Sequence, residues 1–227
     1  MSKGRIIAID GVSGSGKSTL AKELSKILNF MYLDTGAMYR AITLHVIRKD
    51  VDINDEKAVT ETAGECDITV EKTSDGMKIF VNGSDVSGEI RKPYVAEHVS
   101  QVSLIHGVRE YLVECQRKIA SDTDIVVEGR DIGTVVFPDA DAKLFLDASI
   151  DERAQRRCDE LMEKNISVTL EEVKNNISQR DTIDSQRECS PLIQAEDAFL
   201  INSTNVSIDE KTEIALGFIR EKFGLSE

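Results

Sequence analysis

The sequence predicts an α/β fold, with a parallel sheet core and helices on both faces, on three observations. Short β-branched runs alternate with longer segments of helical period along most of the 227 residues. A Gly/Ser-rich segment joins the first such run to the first helix. One central stretch gives up this rhythm for alternating apolar and polar residues around two turn signals, which predicts a small antiparallel β insertion.

Residues 5–9, Arg-Ile-Ile-Ala-Ile, form a buried first strand that ends at the turn signal Asp10-Gly11. Residues 17–29 place Leu20, Leu24, Ile27 and Leu28 at helical spacing, and 30–33 is a second short strand. A helix follows at 36–49, carried by Ala37, Met38, Ala41, Ile42, Leu44 and Ile47. The insertion lies at 66–91, with turns at Thr73-Ser74-Asp75-Gly76 and at Asn82-Gly83. Helices at 92–104 and 106–120, strands at 124–128 and 142–146, and helices at 151–163 and 169–180 come next. A strand at 198–201 and a helix at 208–223 complete the pattern.

Hydrophobic residues make up 41% and charged residues 30%, ordinary for a soluble globular protein. A chain of this length buries roughly 70% of its unfolded surface and needs neither disulfides nor metals to fold. No apolar run approaches the ~20 residues of a membrane helix, and the first residues lack a basic segment followed by an apolar one. Cys66, Cys115, Cys158 and Cys189 match no zinc or redox spacing and read as scattered thiols of a reducing compartment. A cytoplasmic protein is the expectation. The net charge of −13 argues against nucleic-acid and membrane partners. It also requires that any phosphate be met by locally clustered arginines.

Residues Gly11, Val12, Ser13, Gly14, Ser15, Gly16, Lys17 and Ser18 fit the phosphate-loop pattern G-x-x-x-x-G-K-[ST], between a strand and a helix as its chemistry requires. Glycines let backbone N–H groups wrap a phosphate, and the helix adds its positive end. Lys17 supplies a cation for the β- and γ-phosphates of ATP, and the Ser18 hydroxyl is placed to ligate Mg²⁺. Asp10 either tunes the metal shell or caps the turn, and the second is favoured. The Asn-Lys-x-Asp signature of GTPases is absent, so a small-molecule kinase is expected.

Three further constellations carry charge. In Leu33–Arg40, Thr35 is the expected N-cap, Tyr39 could pack on a base or sugar, and Arg40 could pair with a phosphate. By itself this is an ordinary capped helix. Glu128-Gly129-Arg130-Asp131 falls at the carboxyl end of a strand, where α/β sheets bind ligands. Arg153 and Arg157 lie four apart on one predicted helix face, with Arg156 beside them as a candidate for a merely solvated side chain. Arg180, Asp181, Asp184 and Arg187 follow on or just past the next helix. His45, His98 and His106 have no partner motif and read as surface or partly buried residues.

Together these residues resemble the bacterial cytidylate kinase family over nearly the whole chain, from Ile6 to about residue 223. The motifs are the loop from Ile9 through Thr19, Leu33–Arg40, Asp85–Arg91, Ser100–Ser103, Val108-Arg109-Glu110, Gly129–Val136, and Gln179-Arg180-Asp181 through Arg187. The resemblance implies a P-loop kinase fold with a helical lid. It implies a core at about 1–60, 105–150 and 190–227, a monophosphate-binding insertion at about 61–104 and a lid at about 151–189. ATP would bind at Gly11 through Thr19. CMP would be held by Thr35, Tyr39, Arg40, Ser100, Arg109, Arg130, Asp131, Asp184 and Arg187. In that scheme Arg40, Arg130 and Arg187 hold the phosphate, Ser100, Arg109 and Asp131 read cytosine, and Asp184 holds the sugar. Lys17 with the lid arginines Arg153, Arg157 and Arg180 would be catalytic, with Mg²⁺ as cofactor. The family also implies a monomer, and dCMP is expected as a second substrate because the 2′-hydroxyl is one contact among many. Kinases of UMP or shikimate, and a non-catalytic ATP sensor, are the competing expectations.

Overall fold

The computed structural model describes residues 4–163 and 166–224. Strands β1 (Ile6–Gly11), β2 (Met31–Asp34), β6 (Ile125–Glu128), β7 (Ala142–Asp147) and β8 (Phe199–Asn202) form a sheet of order β2-β6-β1-β7-β8. All its pairings are parallel. Successive strand residues point to opposite faces, and the core divides accordingly. Ile6 and Ala8 of β1 with Ile125 and Val127 of β6 pack against α2 (Thr35–Arg48) and α5 (His106–Ala120). Ile7, Ile9 and Val126 face the other way, onto α1 (Lys17–Ile27) and α8 (Ile208–Phe223). The central strands β1 and β6 carry unbroken apolar runs, Ile6–Ile9 and Ile125–Val127, because both their faces are covered.

Strands β3 (Ile68–Thr73), β4 (Gly76–Val81) and β5 (Ser84–Asp85) make the expected antiparallel sheet. It shares the main core, since Ile68, Ile79 and Val81 belong to the same cluster as Ile6 and Ala8. A 3₁₀ turn at Glu89–Arg91 leads into α4 (Pro93–Val102). The pair α6 (Ile150–Glu163) and α7 (Leu170–Gln186) closes on a small core of Ala154, Cys158, Val173 and Ile177. The expected lid, 151–189, crosses residues 164 and 165, which lie outside the described residues, as do 1–3 and 225–227 of the expected core.

Several local expectations are corrected. Helix α3 (Glu56–Gly64), capped by the Asp55 side chain, has no counterpart among the predicted elements. It buries only Val59, Thr62 and Ala63, too sparse a stripe to announce a helix. The N-cap of α2 is Asp34, whose carboxylate accepts from the Ala37 amide at 2.9 Å, and Thr35 is the first helical residue. Helix α7 runs six residues beyond its expected end, to Gln186, and its first turn is held by a Thr169–Glu172 capping box. Residues Ile132–Val136 form a π-helical turn that no sequence signal marks. His45, expected at the surface or partly buried, is buried, and burial lowers its pKa.

Candidate active site

The carboxyl ends of β1, β2 and β6 meet at one rim of the sheet, where the strand order reverses around β1. The phosphate loop leaves β1 at Gly11, whose φ of 146° only glycine adopts readily and whose Cβ would lie 2.0 Å from the Leu146 carbonyl oxygen. Lys17 is buried and its Nζ donates to the Val12 carbonyl at 2.7 Å, folding the side chain back over its own loop. Burial, with Arg130 adding to it, lowers the Lys17 pKa to about 7, while Glu128 and Asp10 act in the opposite sense. Ser18 and Thr19 sit exposed at the start of α1.

Behind Ser18 stands Glu128, the last residue of β6, a buried carboxylate that accepts from Ser18 Oγ at 2.9 Å and from the Tyr32 hydroxyl. Burial and the nearby Asp34 raise the Glu128 pKa. Asp10 does not cap its own turn. Its carboxylate accepts from the Ile132 amide at 2.8 Å and the Gly133 amide at 2.7 Å, more than a hundred residues along the chain.

A cleft opens beside this loop. Thr35, Tyr39, Arg40, Ser100, Arg109, Arg130, Asp131, Asp184 and Arg187 all line it, together with Arg180, Val99, Ser103 and Ile183. Five arginines therefore face two aspartates in a chain whose net charge is −13. Arg109 Nη2 pairs with Asp131, its Nη1 donates to the Ser103 carbonyl at 3.1 Å, and its guanidinium lies 5.5 Å over the Tyr39 ring. Arg130 Nε donates to Asp184 at 2.8 Å. Arg187 is anchored through Nε to the Ser190 carbonyl, with Asp131 and Asp184 at 3.7 and 3.8 Å. Arg109 Nε and Arg187 Nη2 are buried with no hydrogen-bond partner among the described residues. Such donors are costly to leave unmet, and an anionic or polar ligand in the cleft would satisfy them.

Arg40 and Arg180 have no ion pair among the described residues. Burial followed by neighbouring arginines lowers the Arg180 pKa to about 10, and burial lowers that of Arg40. The lid arginines differ among themselves. Arg153 is buried: its Nε donates to Ala148 O at 2.9 Å, and its Nη1 donates to Ser13 O at 3.0 Å and to Asp181. Asp181 in turn accepts from the Ser13 amide at 3.0 Å, so α6 and α7 are seated on the phosphate loop. Arg157 lies at the surface beside Glu160. Arg156 is not simply solvated. It donates to the Ser203 carbonyl at 2.6 Å, and Ser203 Oγ donates to Ser15 O at 2.9 Å, bracing the loop from below.

Glu128, Tyr32, Asp181 and Ser203 had no assigned role from sequence. Glu128 has a readable signal in its place at the end of a strand beside the loop, and Asp181 has one in the charged segment after Arg180. Ser18 with Glu128 offers hard oxygen donors, the set that suits Mg²⁺, which takes few protein ligands. Among the described residues no group of three or more His, Cys, Asp or Glu could hold a metal alone.

The profile of the cytidylate kinase family matches residues 7–221. A cytidylate kinase from Caldanaerobacter subterraneus is 51% identical over 215 residues, covering 95% of this chain and 94% of the relative. A cytidylate kinase from Carboxydothermus hydrogenoformans is 46% identical over 216 residues, covering 95% and 97%. Among solved structures, an uncharacterized protein from Eubacterium ventriosum aligns with a TM-score of 0.52 at 16% identity, covering 95% of this chain and 98% of the other, a likeness of fold alone.

Proposed function

The chain belongs to the cytidylate kinase family, and on that premise we propose that it transfers the γ-phosphoryl group of ATP to CMP or dCMP in the cleft beside the phosphate loop. The observation that carries this reading is the arginine-rich cleft itself, which holds buried donors without hydrogen-bond partners among the described residues, and whose Arg130 and Asp184 act on the charge of Lys17. A phosphate monoester is the acceptor that such a site suits. Its oxygen is already anionic, so no general base is needed, and catalysis reduces to positioning and charge stabilisation.

In this reading Arg40, Arg130 and Arg187 hold the acceptor phosphate. Arg180 and Arg157 neutralise charge on the phosphoryl in flight, and Lys17 draws the γ-phosphate. Arg153 holds the lid to the loop rather than touching phosphate. Asp131 accepts from the cytosine amino group, while Arg109 and Ser100 meet the neighbouring acceptor atoms. Uracil presents a carbonyl where cytosine presents the amino group, which sets two acceptors face to face at Asp131. Asp184 lies where a sugar hydroxyl would donate, one contact among many, which makes dCMP acceptable. Ser18, with Glu128 behind it, would hold Mg²⁺, which supplies charge neutralisation at the β- and γ-phosphates. Closure of the α6–α7 lid excludes water, so that ATP is not wasted by hydrolysis. A division into core, insertion (about 61–104) and lid (about 151–189), a monomeric state and a cytoplasmic setting belong to the same proposal.

The test is ADP release with Mg·ATP against CMP, dCMP, UMP, AMP and shikimate. CMP and dCMP are expected to be far the best acceptors. If no monophosphate accelerates ADP release, the acceptor assignment fails.

A further inference from the structure

We propose that Asp10 is a positioning residue for base recognition: it fastens the base-reading segment around Asp131 to the root of the phosphate loop, so that the two substrate sites share one joint. The inference rests on the reading above, in which Asp131 faces cytosine.

Asp10 is 4% exposed and ends in a carboxylate that bonds to no side chain among the described residues. Both of its oxygens go to backbone, one to the Ile132 amide and one to the Gly133 amide. These are the two residues directly after Asp131. Asp131 opens the π-helical turn, and its own carbonyl accepts from the Val135 and Val136 amides at 2.9 and 3.1 Å. The turn places the Asp131 backbone while Arg109 and Arg187 hold its carboxylate, and Asp10 fastens the start of the turn. On the other side, Asp10 is held in β1, in register with Phe145 of β7, and Gly11 begins the phosphate loop immediately after it. The joint is tight from both directions: a Cβ at Gly133 would lie 3.2 Å from Lys143 Cδ and 3.4 Å from Asp10 Oδ2.

A buried carboxylate is an expensive way to end a strand. Burial is also the main cause that raises the Asp10 pKa to about 6. If volume alone were needed, an uncharged residue would serve. What a carboxylate adds is two acceptors on one rigid group, and two adjacent amides require that. Asparagine has the same shape but turns one acceptor into a donor, which would face an N–H.

The experiment is a double-mutant cycle on the full chain with Asp10→Asn and Asp131→Asn. It reads the dissociation constant for CMP by calorimetry without ATP, the affinity for a non-hydrolysable ATP analogue, and the CMP-to-UMP preference in turnover. Asp10→Asn is expected to weaken CMP about tenfold and to narrow the preference over UMP, with analogue affinity kept within about threefold. In the Asp131→Asn background the same change is expected to weaken CMP by less than about twofold, because its effect runs through Asp131. Equal loss of CMP and ATP affinity, or full additivity of the two changes, would overturn the joint. If Asp131→Asn itself leaves CMP binding intact, the base-site reading fails and the joint fails with it. If Asp131→Asn weakens CMP and Asp10→Asn does not, the joint alone fails. Should Asp10→Asn not fold, Gly133→Ala crowds the same clamp from the turn side and is expected to give the same split between CMP and ATP. Its absence would count against the joint in the same way.

Discussion

Arg109 and Asp131 pair directly inside the protein, with side chains only 2% and 7% exposed, and Arg187 stands 3.7 Å away on the other oxygen of the same carboxylate. One carboxylate thus organises two arginines that face the cleft. Removing it would leave two buried cations to repel each other, and breaking a buried pair from one side costs about 3–5 kcal/mol. Asp131→Ala is expected to lower stability on that scale in urea titration, and to raise the KM for CMP by at least about a hundredfold. The KM for ATP should change little. Equal loss of both substrates would sink the assignment of Asp131 to the base.

Lys17 offers the opposite balance of function and stability. It is buried, its pKa is already lowered to about 7 chiefly by burial, and its hydrogen bond goes to its own loop at Val12. Little of the fold depends on it. Lys17→Ala is expected to lower phosphoryl transfer by about a thousandfold or more, since the loop from Gly11 to Ser18 carries no other cationic side chain. The thermal unfolding midpoint should stay close to that of the parent. ADP release and a circular-dichroism melt on the same sample check both halves, and an active variant would refute the phosphate-loop assignment.

Asp10 makes stability depend on pH with a definite sign. Its folded pKa is about 6 against an ordinary 3.8, raised by burial and pulled back only in part by the Gly133 and Ile132 amides. Between those two values the folded state binds more proton than the unfolded state. The contribution of this group is therefore most favourable below the lower value, declines as pH rises through the higher one, and is flat above it. Urea midpoints at pH 5 and pH 7.5 should show the parent gaining on Asp10→Asn at the lower pH. A difference independent of pH would show that the carboxyl ionises normally.

What the residues revealed before the fold was known followed the range of the forces involved. The sheet strands were legible because burial on both faces leaves runs such as Ile6–Ile9 without polar interruption. The phosphate loop was legible because its glycines, lysine and serine act within eight consecutive positions. Helix α3 was not, since three buried residues in nine give little periodicity. Asp34 is not legible as the cap of α2 because Thr35 is a comparably good capping type one position on, and only the backbone decides between them. Asp10 shows the deeper limit. Its partners lie 122 and 123 residues away, and no local pattern can point to them.

The same limit separates Arg153 from Arg157. Four residues apart on α6, they share a face, but sharing a face does not fix depth. Arg153 sits at the end of the helix that abuts the phosphate loop, where the Cβ of any residue replacing Gly14 would come within 3.3 Å of its own Cβ. Its guanidinium is used up on Ala148, Ser13 and Asp181. Arg157, one turn further out, is 47% exposed beside Glu160. Its charge adds to the lowering of the Arg40 and Arg180 pKa values. Arg153→Ala should therefore cost about 2–4 kcal/mol of stability by removing its bonds to Ala148, Ser13 and Asp181, and lower kcat because the lid loses its seat. Arg157→Ala should cost at most about 1 kcal/mol, as surface pairs do, while kcat falls by about tenfold or more through lost charge at the transferring phosphoryl. Urea titration and steady-state kinetics on the two variants separate anchor from catalyst. A normal kcat for Arg157→Ala would remove that residue from the reaction and leave Arg180 as the lid's contribution.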